Sequence, residues 1–127
     1  SAAIEAATGS ELKRVRDGGT FRQGFHRLGD TLLEIIESPR VTAEHASFGG
    51  FLVNVADLPE LTARLGLDVI SEQRIAVQTG RYIASFRGSL GLGVPLAVMT
   101  PPLEWTPELA AQAQEWEAMR LASRTRS

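Results

Sequence analysis

The chain has 127 residues, 43% of them hydrophobic and 22% charged, with a formal charge of −2 and no cysteine. That composition describes a globular chain, long enough to form one domain over 1–127 with its own core. It argues against a strongly basic nucleic-acid binder and excludes a disulfide framework, a thiolate nucleophile and any Cys-based metal site. The lack of cysteine suits a reducing, cytoplasmic compartment. The longest apolar run, Val94 to Met99, contains a proline. It falls far short of the roughly 20 residues that a membrane span needs, so no membrane partner is expected. The opening Ser1-Ala2-Ala3-Ile4 has neither the basic nor the apolar region of a signal peptide. The basic clusters Lys13, Arg14, Arg16 and Arg120, Arg124, Arg126 read as solvated helix faces or tails.

Residues 2 to 17, rich in Ala and then in charge, predict a short helix interrupted by Gly9 and ended by Asp17-Gly18-Gly19. Thr20 follows as an N-cap. Phe21, Phe25, Leu28, Leu32, Ile35 and Ile36 then recur at spacings of three and four, which is the stripe of an amphipathic helix. Gln23, His26, Arg27, Asp30, Glu34 and Glu37 take its other side. Gly24 and Gly29 weaken that helix by about 1 kcal/mol each relative to Ala. Ser38-Pro39 ends it, because the residue before proline is pushed out of the α region.

Val41 to Phe48 and Phe51 to Ala56 read as strands. Between them Gly49-Gly50 is a two-residue hairpin signal, since glycine tolerates the positive φ of type I′ and II′ turns. The register then places Phe48 opposite Phe51, Ser47 opposite Leu52, Ala46 opposite Val53 and His45 opposite Asn54. One face is apolar, and the other shows His45 and Asn54 side by side.

Asp57, with Glu60 three positions on, resembles a capping box, and Pro59 fits a first turn. Leu58, Leu61 and Leu65 supply the buried face of a short central helix, and Gly66 suits its C-terminus. Arg74 to Gln78 and Tyr82 to Arg87 read as strands joined through Thr79-Gly80-Arg81. Gly88 to Gly93 is a flexible connection. Val94 to Thr100 reads as an edge strand, because Pro95 cannot donate to a central ladder. Thr106-Pro107-Glu108 opens a C-terminal helix with Leu109, Ala113, Trp116 and Met119 along one side. The expected fold is α+β: an antiparallel sheet of roughly four to five strands, an amphipathic helix in the N-terminal half, a short central helix and a C-terminal helix.

Chemistry is sparse. His45 beside Asn54 is a polar pair that could orient a ligand, and an imidazole is suited to proton transfer near neutrality. His26 and Asp30 lie four apart on the expected helix, half of a triad with no recognisable nucleophile. Two distant histidines make no metal signature. Gly88-x-x-Gly91-x-Gly93 leads into an extended segment rather than a helix, so it is not a phosphate loop. No catalytic residue, metal or cofactor is assigned. The residues proposed to contact a ligand or partner are His45, Asn54, Leu52, Trp105 and Trp116, the tryptophans because they are enriched at interface hot spots.

Two stretches resemble known families. Leu12 to Arg16 followed by Thr20 to Gly29 resembles the helix-turn-helix of phage-repressor-like regulators, with Gly24 and Phe25 where that family has Leu and a small residue. Phe21 to Pro39, followed by Arg40 to Leu65 with its Leu58-Pro59-Glu60-Leu61, resembles the helical ligand-binding half of TetR-type regulators. That second resemblance implies helix over 40 to 56, which Gly49-Gly50 and the β-branched Val53 and Val55 oppose. Two functional expectations follow. The first is a non-enzymatic interaction or assembly module that binds a protein partner or its own copy. The alternative is a small-molecule sensor of TetR type with an apolar ligand. An enzyme using His45 or His26 with a carboxylate is a third, weaker reading.

Overall fold

The computed structural model describes residues 1–42, 44–102, 104 and 106–125. The class is α+β, in two compact units, Ser1–Ser47 and Phe48–Ser127.

The first unit runs α1 (Ala2–Thr8), β1 (Leu12–Asp17), β2 (Arg22–Leu28) and β3 (Thr31–Glu37), with the strands antiparallel in the order β1-β2-β3. The amphipathic helix expected over Phe21 to Ile36 is therefore a hairpin. Leu28 pairs with Thr31 across the two-residue turn Gly29-Asp30. Gly29 has φ 63° and no described non-glycine residue has positive φ, which is the type II′ pattern of Gly followed by any residue. The apparent stripe mixes both faces of β3. Leu32 and Ile36 point one way and Leu33 and Ile35 the other, and the β-branched Thr31, Ile35 and Ile36 suit the strand. The leading helix also stops early: Gly9, in the left-handed conformation, ends α1, and the charged residues beyond it form β1. Arg14 lies over the Phe25 ring at 4.5 Å.

Three polar contacts tie the α1–β1 connection to the unit. Glu5 Oε1 accepts from the Leu12 N–H (2.9 Å), Ser10 Oγ donates to the Arg27 carbonyl (2.8 Å), and His26 Nδ1 lies 2.8 Å from the Ser10 carbonyl. A carbonyl only accepts, so Nδ1 carries the proton. His26 is fully buried and its Nε2 has no partner. His26 and Asp30 are thus an interior strand residue and an exposed turn residue, not a helical pair.

The second unit runs β4 (Phe51–Asn54), α2 (Leu58–Leu65), β5 (Arg74–Ile75), β6 (Tyr82–Ser85), a 3₁₀ turn at Gly88–Leu90, β7 (Leu96–Met99) and α3 (Pro107–Thr125). The strand order is β4-β7-β6-β5, with β4 parallel to β7 and the other pairs antiparallel. No hairpin forms at Gly49-Gly50, and Val41 to Phe48 contains no strand among its described residues. β4 instead pairs with β7, which returns after α2, β5 and β6. Gly50 is needed there for another reason. Its φ is 143°, and a Cβ on it would lie 2.5 Å from the Pro95 carbonyl oxygen. That oxygen accepts from the Phe51 N–H at 3.0 Å, which starts the parallel ladder. Phe48 does meet Phe51, edge-on with ring centroids 4.9 Å apart, but outside any hairpin.

β7 is an inner strand, not the expected edge. Pro95 precedes its first paired residue, Leu96, so the missing N–H removes no ladder bond. The sheets also remove the structural basis of both regulator resemblances, because β1 to β4 occupy the stretches that those families make helical.

The core of the second unit is Leu58, Ile70, Ala84 and Val98, with Val55, Leu61, Leu65, Tyr82 and Phe86 packed against it. Asp57 caps α2 by accepting from the Glu60 N–H at 2.8 Å. Ala84 pairs with Val98, so these residues mark the sheet face turned to α2. Alternation leaves Leu52, Asn54, Ile83, Ala97 and Met99 on the opposite face. Trp116 of α3 meets the Tyr82 ring edge-on at 5.4 Å.

Adjacent glycines should therefore behave differently. Nothing lies within 4 Å of a Cβ placed on Gly49. Gly50→Ala is expected to destabilise the protein by about 2–4 kcal/mol through backbone overlap and strain. Gly49→Ala is expected to change stability by less than about 1 kcal/mol. Urea unfolding midpoints of the two variants check the contrast.

Candidate functional site

Arg81 closes the β5–β6 turn. Its carbonyl accepts from the Ala76 N–H at 2.9 Å, and its own N–H donates to the Gln78 carbonyl at 3.3 Å. Gly80, with φ 76°, makes the reversal that aims Arg81 back over the sheet. The residue is 7% exposed. Its guanidinium reaches across the end of β7. Nε donates to the Thr100 carbonyl (2.8 Å), Nη2 to Asn54 Oδ1 (2.5 Å) and Nη1 to Gln78 Oε1.

All three acceptors are neutral. No carboxylate lies within ion-pair distance of Arg81 among the described residues. Burial lowers its pKa from the ordinary arginine value because it penalises the charged form. An arginine nonetheless keeps its proton in a protein. The result is a buried positive charge held only by dipoles. Of the five N–H groups of a guanidinium, three have protein acceptors among the described residues and two have none there. A buried cation without a counter-charge is costly and marks a functional-site candidate.

The surroundings follow from register. Asn54 pairs with Met99, Met99 with Ile83 and Ile83 with Arg74, which forms one row across the sheet on the face away from α2. Leu52, Ala97 and Ser85 form the next row. Arg74 donates from Nη2 to Ser85 Oγ (2.9 Å) and from Nη1 to Ser71 Oγ (3.4 Å). The two rows contain no Asp or Glu. Two open depressions elsewhere, one beside α2 at Thr62 to Gln73 and one under the Gly91 to Pro95 loop, are lined by no buried charged group. Among the described residues no three His, Asp or Glu side chains converge in a way that would hold a metal ion. Among the same residues no helix is long and apolar enough to cross a membrane.

The residues singled out from sequence are dispersed. Asn54 and Leu52 stand on the arginine face, with Leu52 52% exposed. His45 lies in an exposed bend of the first unit, and the His45–Asn54 register does not form. Trp116 packs on Tyr82, which belongs to the core side of the sheet. Trp105 lies outside the described residues. Arg81 and Arg74 were missed. The available signal was slight: a Gly-Arg turn with an arginine at each end of an apolar hairpin.

No protein-family model matches the chain, and no curated protein matches it in sequence. Solved structures do match in fold. A Streptomyces coelicolor methylmalonyl-CoA epimerase in complex with 2-nitronate-propionyl-CoA has a TM-score of 0.61 at 17% identity, over 80% of this chain and 86% of that one. Methylmalonyl-CoA epimerase from Mycobacterium tuberculosis gives 0.62 at 14%, over 87% and 81%. A methylmalonyl-CoA epimerase in complex with methylmalonyl-CoA and NH4+ gives 0.62 at 17%, over 84% and 87%. At such identities the similarity is one of fold alone. It corrects the expectation of a non-enzymatic assembly module, since the fold is one that enzymes use on small molecules. It gives no support to the TetR-type alternative.

The Asn54 contact provides a direct check of the electrostatics. Asn54→Asp supplies the missing counter-charge at an exposed, isosteric position. It is expected to raise stability at pH 7 by about 1 kcal/mol. The new carboxyl beside Arg81 has its folded pKa lowered below the unfolded value near 4. The gain is therefore present above pH 4 and lost as pH falls through that lowered pKa. Thermal unfolding of both proteins from pH 7 to pH 3 measures it.

Proposed function

We propose that the chain binds a small organic carboxylate on the face of the second sheet opposite α2, with Arg81 as the anion-holding residue. The observation that carries this reading is the buried guanidinium with, among the described residues, only neutral acceptors and two N–H groups without partners. A carboxylate fits that need, because the planar fork of arginine takes its two oxygens in parallel. Asn54, Gln78 and the Thr100 carbonyl hold the fork in place, so little ordering remains to be done when the ligand arrives. Ile83, Met99 and Leu52 offer an apolar floor for the carbon skeleton next to the charge. This is the mixture of apolar lining and few fixed polar groups typical of small-molecule sites.

The fold supports the same direction. One structure of like fold holds methylmalonyl-CoA, whose acyl group ends in a carboxylate. The two rows around Arg81 contain no acid or base that could move a proton, so the role assigned here is to bind and orient the ligand.

Titration with propionate and butyrate at constant ionic strength, followed by calorimetry or amide chemical shifts, tests the reading. The protein is expected to bind them, Arg81→Gln to bind at least about tenfold more weakly, and Arg81→Lys to fall between. Asn54→Asp keeps Arg81 and the fold, and it is expected to lose binding by occupying the guanidinium internally. Unchanged affinity in both Arg81→Gln and Asn54→Asp would overturn the proposal.

A further inference from the structure

We infer that Arg74 is a second anion-holding residue on the same face, and that the ligand is a dianion with two carboxylates joined by a short apolar chain. This rests on the reading of Arg81 above and adds the ligand class. Arg74 stands opposite Ile83, and Arg81 immediately precedes β6, two residues before Ile83, where its carbonyl accepts from the Ala76 N–H. Such diagonal neighbours on one sheet face have Cβ atoms about 7–8 Å apart. The two side chains then diverge. Arg74 turns to Ser71 and Ser85, while Arg81 turns to Asn54 and Thr100. Between them the face holds Ile83, Met99 and the small Ala76, whose N–H is bonded to the Arg81 carbonyl.

Arg74 is exposed where Arg81 is buried, but among the described residues it too lacks an acidic partner. It is hydrogen-bonded only to hydroxyl oxygens and has no carboxylate within ion-pair distance among the described residues. Two like charges beside strand rows that hold no acid repel each other, and a bridging dianion relieves that repulsion at both ends. Held by both arginines, a ligand of the right length lays its methylenes on Ile83 and Met99. The pair then selects a dicarboxylate over a monocarboxylate and one chain length over others, because discrimination is greatest where a charged group would otherwise go unmatched.

Glutarate and adipate are compared with pentanoate and hexanoate at constant ionic strength, using calorimetry or amide shifts. The protein is expected to bind a dicarboxylate of the preferred length about five- to tenfold more tightly than its monocarboxylate counterpart. Arg74→Gln is expected to bind hexanoate as before and to reduce the preference to about twofold, the statistical advantage of a ligand with two equivalent ends. Arg74→Lys is expected to retain part of the preference, and Arg81→Gln to lose both ligand types. A preference that survives in Arg74→Gln, or monocarboxylates bound as tightly as dicarboxylates by the unaltered protein, would overturn the role of Arg74 and leave Arg81 standing. Failure of the unaltered protein to bind any of these acids would overturn both.

Discussion

The parallel pairing of β4 with β7 organises the second unit. It begins where the Phe51 N–H meets the Pro95 carbonyl, a contact that leaves no room for a side chain on Gly50. Once this ladder is set, Asn54 comes level with Met99, and the chain just beyond, at Thr100, runs past the β5–β6 turn. Arg81 can then reach acceptors on two elements that are remote in sequence. A parallel pair needs a crossover, and α2 provides it while covering one face with Leu58. The same arrangement leaves the other face with a mixture of apolar residues, Leu52, Ile83, Ala97 and Met99, and the polar Asn54, Ser85 and Arg74.

The buried arginine is the main energetic anomaly of the fold. A guanidinium so enclosed normally has a carboxylate, because Coulomb attraction in a poorly polarisable interior offsets the lost hydration. Here three neutral oxygens orient the group without neutralising it. Under the anion-binding role proposed above, such an arrangement sacrifices stability for readiness to take an anion, as binding sites often do. The first unit has its own orphan, the enclosed Nε2 of His26, but that ring is neutral in the tautomer fixed by the Ser10 carbonyl and carries no buried charge.

Local signals were legible where a short segment settles its own conformation. Asp57, Pro59 and Glu60 announce the start of α2, because a cap needs only neighbours in sequence. Thr79-Gly80-Arg81 shows a reversal between two apolar runs for the same reason. Phe21 to Ile36 misled because six apolar residues that fit a helical stripe also fit two paired strands, and β3 carries apolar residues on both its faces, Leu33 and Ile35 partly buried and Leu32 and Ile36 exposed. The type II′ turn at Gly29-Asp30 decides between these, and it gains its energy from cross-strand pairing that no window of sequence contains. Gly49-Gly50 misled in the opposite way. Glycine marks both a tight turn and a close approach of backbones, and only the position of Pro95 shows which one applies here.

The sequence by itself determined the mixed class, the capped central helix, the absence of cysteine chemistry and the presence of Asn54 on a strand with one polar position. Each of these depends on composition or on residues within a few positions of one another. Tertiary structure alone decided that β7 is an inner strand, that the expected His45–Asn54 register does not form, and that Arg74 and Arg81 lie beside strand rows that hold no acid. Those facts depend on register between segments far apart in the chain. Register is chosen by the burial of a whole sheet face against α2, an energy spread over many residues and written in none of them singly.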